Sequence, residues 1–319
     1  MNTKNISSEF AGLSRAHAIA FSGLLLFMLF APKFIYPVLL MTIMSFALFA
    51  AAFNLLLGYT GFLSFGHAAF FGVGCYVTVY LVGKLHLTFE VAVVAAFVAA
   101  LGLGAIIGAL VSRSKGIYFA MATLAFAQIV YYIVLKTPAS GGENGLESGP
   151  RGLFLGVLDL SNDMVLYYVV LAISALGIAA IYRISHSPFS QAVRAMRDDQ
   201  ARAVSLGYAV WKYKLAMFIL SAGFSGLAGS LKGIVLQFAS LEDVYWSVSG
   251  DVVLMTLIGG IGTVFGPLLG ASLVVTLNNY IAGFGGWVLI IQGVVFALCI
   301  FLFRDGIVGK IQNQFGIKL

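Results

Sequence analysis

Asn54, Ser64, His67, Lys232 and Asp251 are polar or ionisable side chains set inside or beside long apolar runs. In lipid such groups are costly unless they pair or take part in function. His67 has two readings: a polar contact for a passing solute, or a packing histidine with its hydrogen bonds satisfied by the fold. Asn54 is open in the same way, since helix-to-helix hydrogen bonds are the common use of an intramembrane amide. Lys232 lies late in its apolar run, where its stem could carry the ammonium to the interface, or where it could act as a gate or pathway charge. Asp251 is expected as a charge at a helix N-terminus. Cys75 and Cys299 sit in apolar runs without CxxC or Cys/His spacing, so they read as packing residues and no metal site is expected.

The elements that hold these residues must be membrane helices. The chain is 319 residues long, 61% hydrophobic and 9% charged, with too little polar surface to cover a water-soluble globule of that size. It therefore reads as one all-α domain over 1–319, a polytopic helical bundle of about ten segments. Apolar runs predict helices near 16–31, 35–57, 68–83, 89–111, 116–135, 164–182, 215–238 and 287–303. The first is read as a retained helix, because Ala31-Pro32-Lys33 leads directly into a second span. The run 251–281 is too long for one span and is broken by glycines from Gly259 to Gly266, among them Gly260 and Gly262, so it is expected as two short or re-entrant helices.

Charge sets the orientation. The loop 183–214 carries Arg183, Arg194, Arg197, Arg202, Lys212 and Lys214 against Asp198 and Asp199, and is expected in the cytoplasm. The loop 136–163 carries Lys136 and Arg151 against four acids, and is expected outside. Both termini then fall in the cytoplasm. The net charge of +6 is spread over short gaps between apolar runs and makes no stripe for nucleic acid. No phosphate-binding loop of the Gly-Lys-Ser/Thr kind occurs, so nucleotide hydrolysis would need another polypeptide.

Within the basic loop, Ser187 suits an N-cap, Pro188 the first helical position and Gly207 a helix end, which predicts one amphipathic helix over 187–207. Phe189, Val193 and Met196 recur on one face, and Arg194, Arg197 and Asp198 lie beside them. Such a helix either rests on lipid headgroups or docks in a groove of a partner protein, with the apolar residues as anchors and the charges as rim.

The basic loop resembles the coupling loop of ATP-binding cassette importer permeases: Ala201-Arg202-Ala203 followed by Gly207 keeps the spacing of that motif without its acid. Further segments resemble the LivM-type permeases of branched-chain amino acid importers. They are Asn54-Leu55-Leu56-Leu57-Gly58-Tyr59-Thr60-Gly61, Ser64-Phe65-Gly66-His67, Gly116-Ile117-Tyr118-Phe119, Gly141-Gly142-Glu143-Asn144-Gly145-Leu146 and the glycine-rich break through Gly270. The resemblance implies a multi-pass inner-membrane subunit that forms a heterodimer with a homologous second permease. It also implies two cytoplasmic ATPase subunits that bind ATP and Mg, and a periplasmic solute-binding protein that delivers substrate. This chain itself would bind no cofactor. Branched-chain or other neutral amino acids are the expected cargo; urea, a short amide or a small organic acid is the alternative.

The break from Gly58 to His67, with Tyr59, Thr60 and Ser64, and the break at Gly260 and Gly262 are the expected substrate pathway together with Asn54. A helix N-terminus near Ser64 could receive a carboxylate. Two other classes fit the sequence less well. Gly223-Phe224-Ser225-Gly226 has the form of a rhomboid-type protease nucleophile, but all four histidines precede it, the reverse of the rhomboid order. A proton-coupled secondary transporter would need buried acids along its spans, and few occur.

Overall fold

The computed structural model describes residues 15–154, 156 and 158–287, together with isolated positions between 290 and 309. The predicted helix 287–303 lies largely outside the described residues, as does Cys299. Helices α1 (Arg15–Phe30), α2 (Pro37–Thr60), α3 (His67–Gly83), α4 (Phe89–Val111), α5 (Ile117–Lys136) and α6 (Asp163–Ser185) follow the predicted runs closely. Then come two short helices, α7 (Pro188–Asp198) and α8 (Gln200–Ser205), and three apolar ones, α9 (Val210–Leu236), α10 (Trp246–Gly259) and α11 (Gly266–Ile281). Helices α2, α4, α5, α6 and α9 have the length and hydropathy of membrane spans. The protein is a polytopic helical bundle.

Helix boundaries have local causes. Pro37 sits in the first turn of α2, where its missing N–H is no loss, and α2 stops at Gly61, whose φ of 72° is left-handed. Asn162 caps α6 by accepting from the Met164 amide. The expected single helix over 187–207 is two: Asp199 turns extended at φ −143° and its Oδ1 accepts from the Arg202 amide, ending α7 and capping α8. The breaks are also shorter than expected, because α2 continues through Gly58, Tyr59 and Thr60, leaving 61–66 and 260–265 outside helices. Asp251 is not at a helix start: α10 begins five residues earlier at Trp246.

Helices α2 and α9 form the centre, each 78% buried over its apolar window, whereas α5 is 33% buried. Close approach depends on small residues, as in other membrane bundles. A Cβ on Gly74 of α3 would strike the Gly226 carbonyl of α9, and one on Gly229 would strike the Phe71 carbonyl. Gly104 of α4 packs on the Ala222 methyl. In lipid, where apolar contact alone gives no driving force, this backbone-to-backbone fit and its dispersion energy hold the helices together.

The two ends of the bundle differ in charge. At the acidic end, β1 (Leu146–Glu147) pairs with β4 (Phe238–Ala239), and β2 (Leu153–Phe154) pairs with β3 (Leu158–Asp159), the additions to an otherwise helical chain among the described residues. Arg151 ties this loop down by donating to the Ile234 and Val235 carbonyls at the end of α9 and pairing with Asp163 at 2.8 Å. The basic end carries α7, α8 and both helix breaks.

Candidate functional site: a basic helix clasped onto two helix breaks

The last turn of α2 and the turn between α10 and α11 touch backbone to backbone. A Cβ on Gly58 would lie 2.8 Å from the Gly262 Cα. Asn54, one turn before Gly58, bridges them: its Nδ2 donates to the Thr263 carbonyl at 2.7 Å and its Oδ1 accepts from the Gly262 amide at 2.8 Å. The turn is completed by the Thr263 hydroxyl, which donates to the Gly260 carbonyl and accepts from the Gly266 amide. Gly260 at φ 123° and Gly262 at φ 76° adopt angles that L side chains rarely reach.

Helix α7 lies across this junction. Arg197 donates from Nη1 to the Gly58 carbonyl at 2.6 Å while its Nε and Nη2 reach Asp198 Oδ1 at 3.2 Å. Arg194 stacks on the Tyr59 ring, 4.1 Å from its centroid, and its Nη2 lies 3.4 Å from the Gly262 carbonyl. One arginine therefore spans both breaks and the other grips the end of α2. The apolar face of α7 is covered by this chain: Val193 is 1% and Met196 2% exposed, and Phe189 stacks on Tyr213 of α9. Ser190 is buried as well and donates to the Ile184 carbonyl. Gly207, at φ 84°, turns the chain after α8 with open space around it. The exposed face of the basic end is instead made by Val204, Leu206, Tyr208 and Trp211 with Arg202 and Lys212.

The other predicted pathway residues are also buried. The Thr60 hydroxyl donates to Leu56 and accepts from the Phe62 amide. Amides in the 61–66 break and the first turn of α3 already have hydroxyl partners: Phe65 donates to Thr123, Gly66 to Ser64 and Ala68 to Ser249. His67 Nε2 lies 2.8 Å from the Ser221 hydroxyl, which is itself 2.6 Å from the Ala52 carbonyl. The serine proton goes to the carbonyl, so the ring nitrogen is the donor. Phe53, Phe70 and Phe218 pack edge-on around the ring. His67 thus joins α2, α3 and α9 at the foot of the break. Ser221, Ser249 and Thr123 escaped the sequence reading because a lone hydroxyl in an apolar helix has no local signature.

Lys232 ends in a buried ion pair. Its ammonium lies 2.6 Å from Asp243 Oδ2, both side chains being 9% exposed, and the same oxygen accepts from the Ser240 amide. Ser225 donates its hydroxyl to the Ser221 carbonyl one turn earlier and is buried, the role of a helix-packing serine.

Apolar spans packed through small residues around two helix breaks define a multi-pass membrane protein of the permease class. The chain belongs to the family described as "Branched-chain amino acid transport system / permease component", which matches residues 36–303. It is similar to the high-affinity branched-chain amino acid transport system permease protein LivM of Escherichia coli, with 27% identity over 298 residues covering 86% of this chain and 70% of that one. The Salmonella typhimurium protein of the same name is 28% identical over the same coverage. No solved structure matches.

Proposed function

We propose that this chain is the transmembrane subunit of an ATP-driven importer for branched-chain or other neutral amino acids. Its partners are a homologous permease, two ATPases on the cytoplasmic side that hold ATP and Mg, and an extracytoplasmic binding protein. Both the family and the names of its relatives support an amino-acid cargo. The observation that carries the mechanism is the clasp of α7: Arg197 on Gly58 and Arg194 across Tyr59 and Gly262. The basic end is assigned to the cytoplasm by its charge. An ATPase pulling or rotating the α7–α8 unit then moves the end of α2 and the α10–α11 turn together, which is what opening and closing a cytoplasmic gate requires. In this reading the coupling residues Phe189, Val193 and Met196 fix α7 to the permease, and Arg194, Arg197 and Asp198 transmit its motion. Gly207 lets the exposed α8 and the residues after it face the ATPase.

The test is copurification followed by reconstitution. Affinity-purified protein is expected to bring an ATPase and a second permease, and proteoliposomes with the binding protein are expected to accumulate leucine only with ATP inside the ATPase compartment. Uptake that ignores ATP and follows a proton gradient would sink the importer reading. Uptake of urea or a short amide in place of leucine would replace the cargo while keeping the machine.

A further inference from the structure

Lys214, in the second turn of α9, is 8% exposed, yet no carboxylate pairs with it among the described residues. Its Nζ lies 4.3 Å from the centroid of the Phe62 ring and donates to Gln200 Oε1 at 3.2 Å. An ammonium withdrawn from water needs partners for its charge, and here a ring face and an amide oxygen supply them in place of a counter-ion. The two partners belong to different parts of the basic end. Gln200 opens α8, whose Arg202, Val204 and Ser205 are exposed, whereas Phe62 lies in the 61–66 break. The Phe62 ring is buried and stacks on Phe119 of α5, with centroids 4.3 Å apart; Phe119 in turn meets Phe218 of α9 edge-on. The residue before it, Gly61, is covered by the Arg197 side chain, 3.2 Å from where a Cβ would stand. Consecutive residues of the break are therefore held by cations from different helices, Gly61 by α7 and Phe62 by α9.

We infer that Lys214 is a positioning residue that links α8 to the 61–66 break: Gln200 sets where the ammonium sits, and the ammonium holds the Phe62 ring on its stack with Phe119. Lys214 stands on a central helix of the bundle, while α8 lies at its exposed edge. Drawing Gln200 outward with α8 takes the ammonium off the ring and loosens the break at Phe62. This rests on the importer reading and adds a second linkage, through α8, to the clasp made by α7. A chain of contacts is a coupling route only where altering one contact shifts the far end.

The test replaces Phe62 in the full chain by mono-, di- and trifluorophenylalanine, which weaken a ring's hold on a cation while nearly keeping its shape. Hydrogen exchange of the 62–66 amides is followed in lipid nanodiscs. Exchange is expected to rise with each fluorine, about 10-fold in all, and to keep that trend in Lys214→Arg. In Lys214→Met it should start high and no longer respond to fluorine. A flat series in the chain with Lys214, or a trend that persists in Lys214→Met and so comes from the Phe119 stack, overturns the inference. Gln200→Leu should raise the same exchange; an unchanged rate removes α8 from the linkage and overturns it as well. The fluorine series with Lys214 in place is readable even if the Lys214 variants do not fold. In proteoliposomes, leucine moved per ATP hydrolysed should fall along the series, and a constant ratio beside rising exchange would reduce Lys214 to packing. Absence of ATP-driven uptake by the unaltered chain would remove the importer reading, while the exchange series still decides the linkage.

Discussion

The Arg197 guanidinium donates to the Gly58 carbonyl over 2.6 Å, joining the loop helix α7 to the last turn of α2. A helix carbonyl near the C-terminus has no intrahelical donor, so the arginine both satisfies it and complements the negative end of the helix. The bond is charge-assisted and partly shielded, the kind worth roughly 1.5–3 kcal/mol.

Arg197→Ala is therefore expected to uncouple the transporter. Leucine uptake should fall about 10-fold or more while copurification of the ATPase persists and its basal turnover continues. Arg197→Lys should restore part of the uptake, since an ammonium can reach Gly58 but cannot also hold Asp198 in a fork. Loss of the ATPase from the purified complex would assign Arg197 to docking and not to transmission.

Asn54→Leu removes a donor and an acceptor at once, leaving the Gly262 amide and Thr263 carbonyl without their partners. A loss of about 2–4 kcal/mol is expected, read as a lower Tm in detergent. Asn54→Asp keeps the acceptor for Gly262 and should fall between wild type and Asn54→Leu. Equal Tm values for all three chains would show that Asn54 does not hold the turn.

Lys232→Met should leave Asp243 charged and unpaired in a buried site, at a cost of about 3–5 kcal/mol. The double variant Lys232→Met with Asp243→Asn is expected to recover much of that loss. A double-mutant cycle on thermal stability measures the coupling. Additive losses would mean that the pair is not an ion pair in the folded protein.

Gly74→Val should force α3 away from α9, because its Cβ would overlap the Gly226 carbonyl. Overpacking of this kind costs about 1–3 kcal/mol and lowers the yield of folded protein. Gly102→Ala, with nothing within 4 Å of its Cβ, is the control and should be neutral. Matching yields would refute the tight α3–α9 crossing.

The membrane helices were legible because a span of apolar residues has one stable form in lipid. The helix pair at 246–281 was legible as broken, since Gly259, Gly260 and Gly262 cluster where no helix would tolerate them. What failed were the local ends and the long-range partners. Asp199 reads as a second acid in a helix, and only its extended backbone makes it a cap. The amphipathic face of α7 was plain, but Phe189, Val193 and Met196 carry no mark of whether they cover this chain or another. Lys232 and Asp243 are eleven residues apart across a helix end and a turn, so their pairing depends on a path no periodicity describes. Asn54 was visible as an oddity; its partners, more than two hundred positions away, were not.

Helix α10 has 14 residues, which at 1.5 Å each gives about 21 Å of rise, against about 30 Å of hydrocarbon in a typical bilayer. Its foot is fixed by Gly259 against Gly266 at the basic end, so the missing length falls at the acidic end, beside Asp251. In the importer reading, a solute arriving at that rim meets a helix about two-thirds of the usual crossing length before any gate moves.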